Sequence, residues 1–133
     1  MGGSKTYQPE GGFSEQTFEK IGTTENGIKI IGKVGGGSAK TPMYSNTPNT
    51  EYAILDNTGR VKQISVYGGK DGRQKIKDID IGHSHTNKTN KKSFGENEIH
   101  VHEYKDGVRS QTARKPSASE RRKLMIARRK KYK

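Results

Sequence analysis

Alternating hydrophobic and polar residues in the middle of the chain predict a small antiparallel sheet. Residues 51–55 and 60–67 are two strand-like segments, joined by a short turn of Asp, Asn, Thr and Gly. A third strand is predicted over residues 74–81, after a glycine-containing turn, and a fourth over residues 98–105. Side chains alternate between the two sides of a strand, so each segment has one apolar and one polar face. Together the four segments predict an antiparallel meander.

The flanking regions differ in composition and predict different structures. The first thirty-seven residues contain ten of the seventeen glycines, which weakens regular structure there. Within this part we predict only a short helix over residues 13–21 and a strand over residues 28–34. Residues 118–131 are rich in Arg, Lys, Leu, Met and Ala and predict a helix.

The predicted fold class is therefore α+β, with one small antiparallel sheet of about four strands. A basic helix follows the sheet at its C-terminal end, and a loosely structured, Gly-rich arm precedes it. We expect residues 1–50 to be the arm or linker, residues 51–116 the sheet that carries the candidate site, and residues 117–133 the basic helix or tail of the same domain.

Composition limits the core, and charge identifies the kind of partner. The chain has 133 residues, of which 26% are hydrophobic, so we expect one domain with a thin core. It has no cysteine, which excludes disulfides and thiolate metal sites. The net charge is +12, and residues 109–133 supply +10 of it, with Glu120 as their one acid. Such a one-signed segment favours a polyanion as partner, nucleic acid first.

The chain is expected to cross no membrane by itself. No segment approaches the roughly 18 apolar residues that a membrane-spanning helix needs, and no hydrophobic segment follows Met1. We therefore expect no membrane span and no export signal, with delivery to another compartment as part of a larger protein or by a dedicated system.

The histidines are the strongest indication of chemistry. All four lie within twenty residues, as the pairs His83/His85 and His100/His102. Imidazole gives or takes a proton near neutral pH and also binds transition metals. A single pair on an exposed strand is usually just a solvated polar surface. Two pairs with no other histidine in the chain indicate a functional site.

Strand alternation predicts which of these side chains share a surface. In the last predicted strand, His100, His102 and Tyr104 point away from the aliphatic side chains between them. In the strand before it, Asp78 and Asp80 take the face opposite the isoleucines. If both strands bury their aliphatic residues in one core, the acids and the second histidine pair line a common polar surface. The first pair lies in the loop just beyond the third strand and is expected at the edge of this surface.

The order of these elements resembles the C-terminal toxin modules of bacterial polymorphic toxins, and similar modules occur on phage minor capsid proteins. The resemblance covers roughly residues 51–122. It rests on Asp78-Ile79-Asp80-Ile81, a histidine and Asn87 after it, His100-Val101-His102-Glu103-Tyr104, Gly107 with Arg109, Arg114 and Ser117-Ala118-Ser119-Glu120.

This resemblance implies a fold of the barnase, EndoU, colicin and RelE-like (BECR) group and a toxin-type endoribonuclease without a cofactor. A base takes the 2′-hydroxyl proton, that oxygen attacks the phosphate, and an acid protonates the leaving 5′-oxygen. His100 and His102 are then the acid and base candidates, with His83 or His85 as second partner. Arg109 and Arg114 would stabilise the phosphorane, and Tyr104 would orient or protonate.

The resemblance also implies partners and a location. The expected substrate is RNA, and the expected protein partner is a cognate immunity protein, an acidic one suiting the basic surface. We expect a delivered effector in the cytoplasm of a target cell or a phage-associated protein. The candidate substrate-binding residues are Asp80, Arg114, Lys115, Arg121 and Arg122.

Two other functions remain open from the sequence. One is a metal-dependent nuclease that uses a single divalent ion, since the histidines and aspartates supply enough nitrogen and oxygen ligands. Its candidate ligands are Asp78, Asp80, His83, His85, His100 and His102. The other is a non-catalytic capsid or nucleic-acid-packaging module, in which the histidines are structural or sense pH.

Overall fold

In the described part of the chain, the fold consists of a seven-stranded mixed sheet, a separate two-stranded hairpin and one C-terminal helix. The computed structural model describes residues 18–36 and 40–132. The seven strands of the sheet lie in the order β1-β2-β3-β4-β5-β8-β9, and β6 and β7 form a separate two-stranded hairpin. The strands are β1 (Phe18–Thr23), β2 (Lys29–Lys33), β3 (Glu51–Leu55), β4 (Val61–Gly68), β5 (Gln74–Asp80), β6 (His85–Thr86), β7 (Ser93–Phe94), β8 (His100–Lys105) and β9 (Val108–Arg109), and the helix is α1 (Ala118–Ala127).

The α+β class is confirmed, but the expectation of about four strands is wrong. The four predicted strands are β3, β4, β5 and β8, and they pair antiparallel in the predicted order. Two strands precede them and a short strand, β9, closes the other edge. The sheet is mixed rather than purely antiparallel, because β2 and β3 pair in parallel.

The region before residue 51 contributes more structure than its glycine content predicts. The strand predicted over residues 28–34 is present as β2. The helix predicted over residues 13–21 is wrong where the structure describes it, since Phe18–Thr23 is β1; residues 13–17 lie outside the described part. Residues 18–33 therefore belong to the sheet and not to a loose arm. Gly27, with a φ of 84°, makes the turn between these strands, a backbone conformation that glycine adopts without strain.

Helix α1 begins and docks through polar contacts as well as apolar ones. Ser117 is its N-cap, and a capping box is complete because Ser117 accepts from the Glu120 backbone while the Glu120 carboxylate accepts from that of Ser117. Leu124 and Ala127 are buried against the sheet. The predicted helix over residues 118–131 is thus confirmed, with an end at Ala127. None of the described helices is long and apolar enough to span a membrane.

The two faces of the sheet have different functions in the fold. One face carries the larger aliphatic core, which includes Ile64, Ile79 and Val101, and α1 covers it. The opposite face is apolar only at one end, around Tyr52 and Tyr67. Because side chains alternate along each strand, this second face of β4, β5 and β8 carries a set of polar residues that pair across the strands: Gln63, Ser65, Asp78, Asp80, His100 and His102. We call it the site face.

Candidate active site

Strand register assembles two rows of polar side chains on the site face. Gln63 lies opposite Asp80, and Asp80 lies opposite His100. In the next row Ser65 lies opposite Asp78, and Asp78 opposite His102. Directly paired residues on adjacent strands point to the same face, with Cβ atoms about 4.5–5.5 Å apart. The predicted common surface of both aspartates and the second histidine pair is therefore present.

Three of these side chains converge with His83, which lies in the loop after β5. One donor atom from each of Asp80, His83, His100 and His102 lies within 4.8 Å of the other three. The Nε2 atoms of His83 and His100 are 3.2 Å apart. The Asp80 Oδ2 atom is 3.6 Å from Nε2 of His102 and 4.0 Å from that of His100. We call these four residues the His/Asp cluster.

Aromatic contacts hold the buried imidazoles in place. The His85 ring stacks on His100 at 5.6 Å between centroids and meets His102 edge-on at 4.8 Å. Phe94, the cross-strand partner of His85 on the β6–β7 hairpin, also stacks on His100, with 5.5 Å between ring centroids. Asn87 fixes this hairpin to the segment before α1. Its side-chain amide donates to the Ala113 carbonyl and accepts from the Ala113 backbone N–H. The hairpin therefore closes one side of the cluster, while His83 remains exposed.

Burial keeps the two inner histidines neutral. Burial, with the neighbouring His83, lowers the pKa of His100 to about 4. Burial and the charge of Arg109 lower the pKa of His102 to about 3. The Nδ1 atoms of both rings have no hydrogen-bond partner among the described residues, so a second ring proton would be buried and unpaired. At neutral pH these rings are unprotonated, which suits them to act as metal ligands, whereas pKa values this low make them weak bases and unsuitable acids.

The pKa of the Asp80 carboxyl group shifts in the opposite direction, upwards. Burial, with the charge of Asp78, raises the pKa of Asp80 to about 7. Gln63 Nε2 donates to Asp80 Oδ1 at 2.6 Å, which leaves Oδ2 facing the histidines. The amide oxygen of Gln63 accepts from two hydroxyl groups at 3.4 Å, those of Thr41 and Ser65. Gln63 is thus held on one side and positions Asp80 on the other.

Asp78 belongs to a separate buried network beside the cluster. Its carboxylate accepts from Ser65 and, at 3.3 Å, from Lys75 Nζ. Lys75 also donates to the Thr41 carbonyl at 3.3 Å and lies 5.1 Å over the ring of Tyr104. Burial and the Asp78 carboxylate raise the pKa of Tyr104, so its hydroxyl stays protonated at neutral pH.

Arg109 is the predicted cation that stays near the cluster. It pairs across the strands with Tyr104, which places it on the site face. Arg109 is exposed. Its positive charge lowers the pKa values of His100, His102 and Asp80. Among the described residues we find no ion pair for its guanidinium, so it is free to meet an anion.

The other predicted substrate-binding residues lie elsewhere. Arg114 contacts the Glu120 carboxylate with two nitrogens, at 2.8 and 2.9 Å, and Glu103 at 3.1 Å. These contacts join α1 to the sheet. Lys115, Arg121 and Arg122 are exposed, and the two arginines belong to the helix that covers the face opposite the cluster.

Sequence inspection did not select Gln63, Lys75 and Phe94 as site residues. Only the pairing register of β4 and β5 identifies Gln63, because this register decides which polar residue of β4 lies beside Asp80. Lys75 reaches the site face because a bulge interrupts the β4–β5 ladder. Phe94 arrives from a hairpin that no hydrophobic period marks. Each of these placements depends on contacts between distant segments.

Comparisons of the chain with protein-family models, with curated proteins and with solved structures find no match. The site must therefore be interpreted from its own chemistry.

Proposed function

We propose that the protein is a nuclease whose active centre is one divalent transition-metal ion bound by Asp80, His83, His100 and His102. The observation that carries this proposal is the convergence of four donor atoms within 4.8 Å. A tetrahedral zinc ion with bonds of about 2.0–2.1 Å separates its ligands by about 3.3 Å. The separations of 3.2, 3.6 and 4.0 Å in the cluster are close to that value, and the widest, up to 4.8 Å, would have to shorten by about 1.5 Å to reach it.

The chemistry of the donors supports the same conclusion. Three imidazoles and one carboxylate, without a thiolate, suit zinc, and also manganese or iron. Metal ligation needs deprotonated donors, and the lowered pKa values of His100 and His102 keep both rings neutral at pH 7. Burial of the Asp80 carboxylate among neutral rings is costly without a cation, and this cost raises its pKa to about 7. A bound cation would offset that cost and favour the ionised form that ligation needs.

Four protein ligands fill a tetrahedral site, so a catalytic ion would need a fifth coordination position. Through that position a bound ion would supply an activated water and neutralise charge on a phosphoryl oxygen. The residues of the chain provide the remaining functions. Gln63 holds Asp80 in place, Phe94 and His85 fix the inner rings, and Arg109 stands free on the same face to bind the phosphate. His83, being exposed, marks the side from which a substrate enters. RNA is proposed as the substrate because of the resemblance to toxin ribonucleases.

The metal-independent ribonuclease is the second candidate, and one observation favours it. Asp80 has a pKa of about 7 and lies 3.6 Å from the neutral ring of His102. A group with this pKa can serve as an acid near neutral pH, while a histidine serves as the base. In this mechanism Asp80 would be the acid, whereas the sequence-based expectation assigned both the acid and the base to histidines.

The deciding experiment measures cleavage of total RNA and plasmid DNA by the purified protein, in EDTA and after addition of Zn²⁺, Mn²⁺ or Mg²⁺. We expect RNA cleavage only with metal, and about one ion per chain by elemental analysis. Asp80→Asn should reduce cleavage by more than about 100-fold, because the loss of an outer partner of a ligand already costs about 10–100-fold.

Asp106→Asn is a matched control. Asp106 is exposed in the β8–β9 turn with a φ of 52°, which asparagine also tolerates. It should cleave like the wild type. RNA cleavage that persists in EDTA would reject the metal centre in favour of the second candidate. Absence of cleavage under all conditions would reject both and leave the packaging module.

A further inference from the structure

We propose that the outer side of α1 and the segment after it form a second nucleic-acid-binding surface, separate from the His/Asp cluster. We define this helix basic surface as Arg121, Arg122, Lys130 and Lys131. All four residues are exposed. Among the residues that the structure describes, none of the four forms an ion pair, although Lys130 lies 5.4 Å over the Tyr132 ring.

The other cations of this segment serve the fold. Lys123 pairs with Glu51, and Arg128 donates to the Val61 carbonyl. Arg129 is exposed and lies 3.8 Å from the Glu25 carboxylate. The one acid, Glu120, is only 4% exposed and is bound by cations at its inner side. The carboxylates near this helix are thus paired with cations that lie towards the sheet. The helix basic surface on the solvent side keeps only positive charges. Such a surface must be balanced by solvent ions or by a polyanion.

The composition of this surface favours a phosphate backbone over other anionic partners. Met125 is the one large hydrophobic residue that α1 exposes, at 49%. Insertion into a membrane interface needs a wider apolar face, and a protein interface usually has an apolar centre. Arginine presents several donors in a fork that matches phosphate oxygens. Binding by clustered cations with release of counterions needs neither apolar contact nor base recognition.

The topology separates this surface from the cluster. Leu124 and Ala127 of α1 share one apolar core with Ile79 and Val101. The neighbouring Asp80, His100 and His102 point to the other side of the same strands. The sheet and the apolar core therefore lie between the two surfaces. One phosphodiester cannot contact both. The helix basic surface can hold a long strand near the protein but cannot act on the bond that is cut.

The test is binding of a fluorescent 20-nucleotide RNA, and of DNA of the same sequence, measured by anisotropy at several salt concentrations in EDTA. Arg121→Gln/Arg122→Gln should weaken binding of both polymers by about tenfold at moderate salt. The slope of log K against log salt should fall by about 1.4, the value for two phosphate contacts on a single strand. Lys20→Gln/Lys70→Gln removes two other exposed cations and should bind like the wild type.

Binding by the arginine variant at wild-type affinity, with a wild-type melting curve, would overturn the proposal. An equal loss in the lysine variant would overturn it too, because net charge alone would then explain the effect. Displacement of RNA by polyglutamate of equal charge would reassign the surface to an acidic protein. A large preference for RNA or DNA would contradict recognition of the shared backbone.

This inference does not depend on the proposed nuclease activity, since binding is measured without turnover. If cleavage is found, the arginine variant should show a KM for long RNA about tenfold higher, with kcat unchanged. Cleavage of a dinucleotide should be unaffected, because such a substrate cannot span from the cluster to the helix. If no cleavage is found, the proposed function fails while the binding result still decides this proposal.

Discussion

The substitution Gln63→Leu tests whether the polar row on the site face is built to hold a metal ligand. Gln63 Nε2 donates to Asp80 Oδ1 at 2.6 Å, and this contact directs Oδ2 towards the histidines. Leucine has a similar size and cannot donate. The carboxyl group of Asp80 would then be free to rotate, and it would lose a hydrogen bond from a buried position.

The size of the effect follows from the type of contact. Loss of an outer partner of a metal ligand typically lowers metal affinity by about 10–100-fold. Since each factor of ten equals about 1.4 kcal/mol, the expected cost is about 1.4–2.8 kcal/mol. Removal of a hydrogen bond to a charged group costs about 1.5–3 kcal/mol, which agrees with this range.

The assay is a Zn²⁺ titration against a competing chelator, with a melting curve in EDTA to show that the variant folds. Gln74→Leu is the matched control, because Gln74 lies at the opposite end of β5 from Asp80. It should keep the wild-type affinity. A folded Gln63→Leu protein that binds Zn²⁺ as tightly as the wild type would refute the proposed role of the row.

Three further predictions concern the elements that support the site. Glu120→Gln should destabilise the fold by about 2–3 kcal/mol in urea denaturation, less than for a fully buried pair because its cations are partly exposed. Those cations hold the pKa of Glu120 well below its ordinary 4.5, so wild-type stability should fall as the pH drops below about 4.5, and equal acid sensitivity in the variant would contradict this. Ser117→Ala should cost about 1 kcal/mol by removing the cap of α1, and a loss under a few tenths would show that the capping box is not formed in solution. Lys75→Met should cost about 3 kcal/mol by leaving Asp78 buried without its cation, whereas adding Asp78→Leu should recover most of that loss; additive losses in the double variant would argue against the pair.

The sequence determined the central part of the fold and the residue types of the site. Period-two alternation in residues 51–105 predicts β3, β4, β5 and β8, because one buried face forces the pattern. The same alternation predicts that Asp80, His100 and His102 share a face, as they do. Helix α1 was predictable from local propensity, with Glu120 three residues after the Ser117 cap as a further signal.

Other features depend on pairing between distant segments and are visible only in the folded chain. Strand β1 is stabilised by its pairing with β2, and the glycine content of this region hides it from local propensity. The sequence predicts β2 but not its parallel pairing with β3. Register alone places Gln63 beside Asp80. The charge of α1 does not predict which face of the sheet the helix covers. Because α1 covers the face opposite the site face, its basic residues are separated from the His/Asp cluster. Local sequence specifies each surface, whereas packing decides which surfaces meet, because burial rewards contacts that only the folded chain can form.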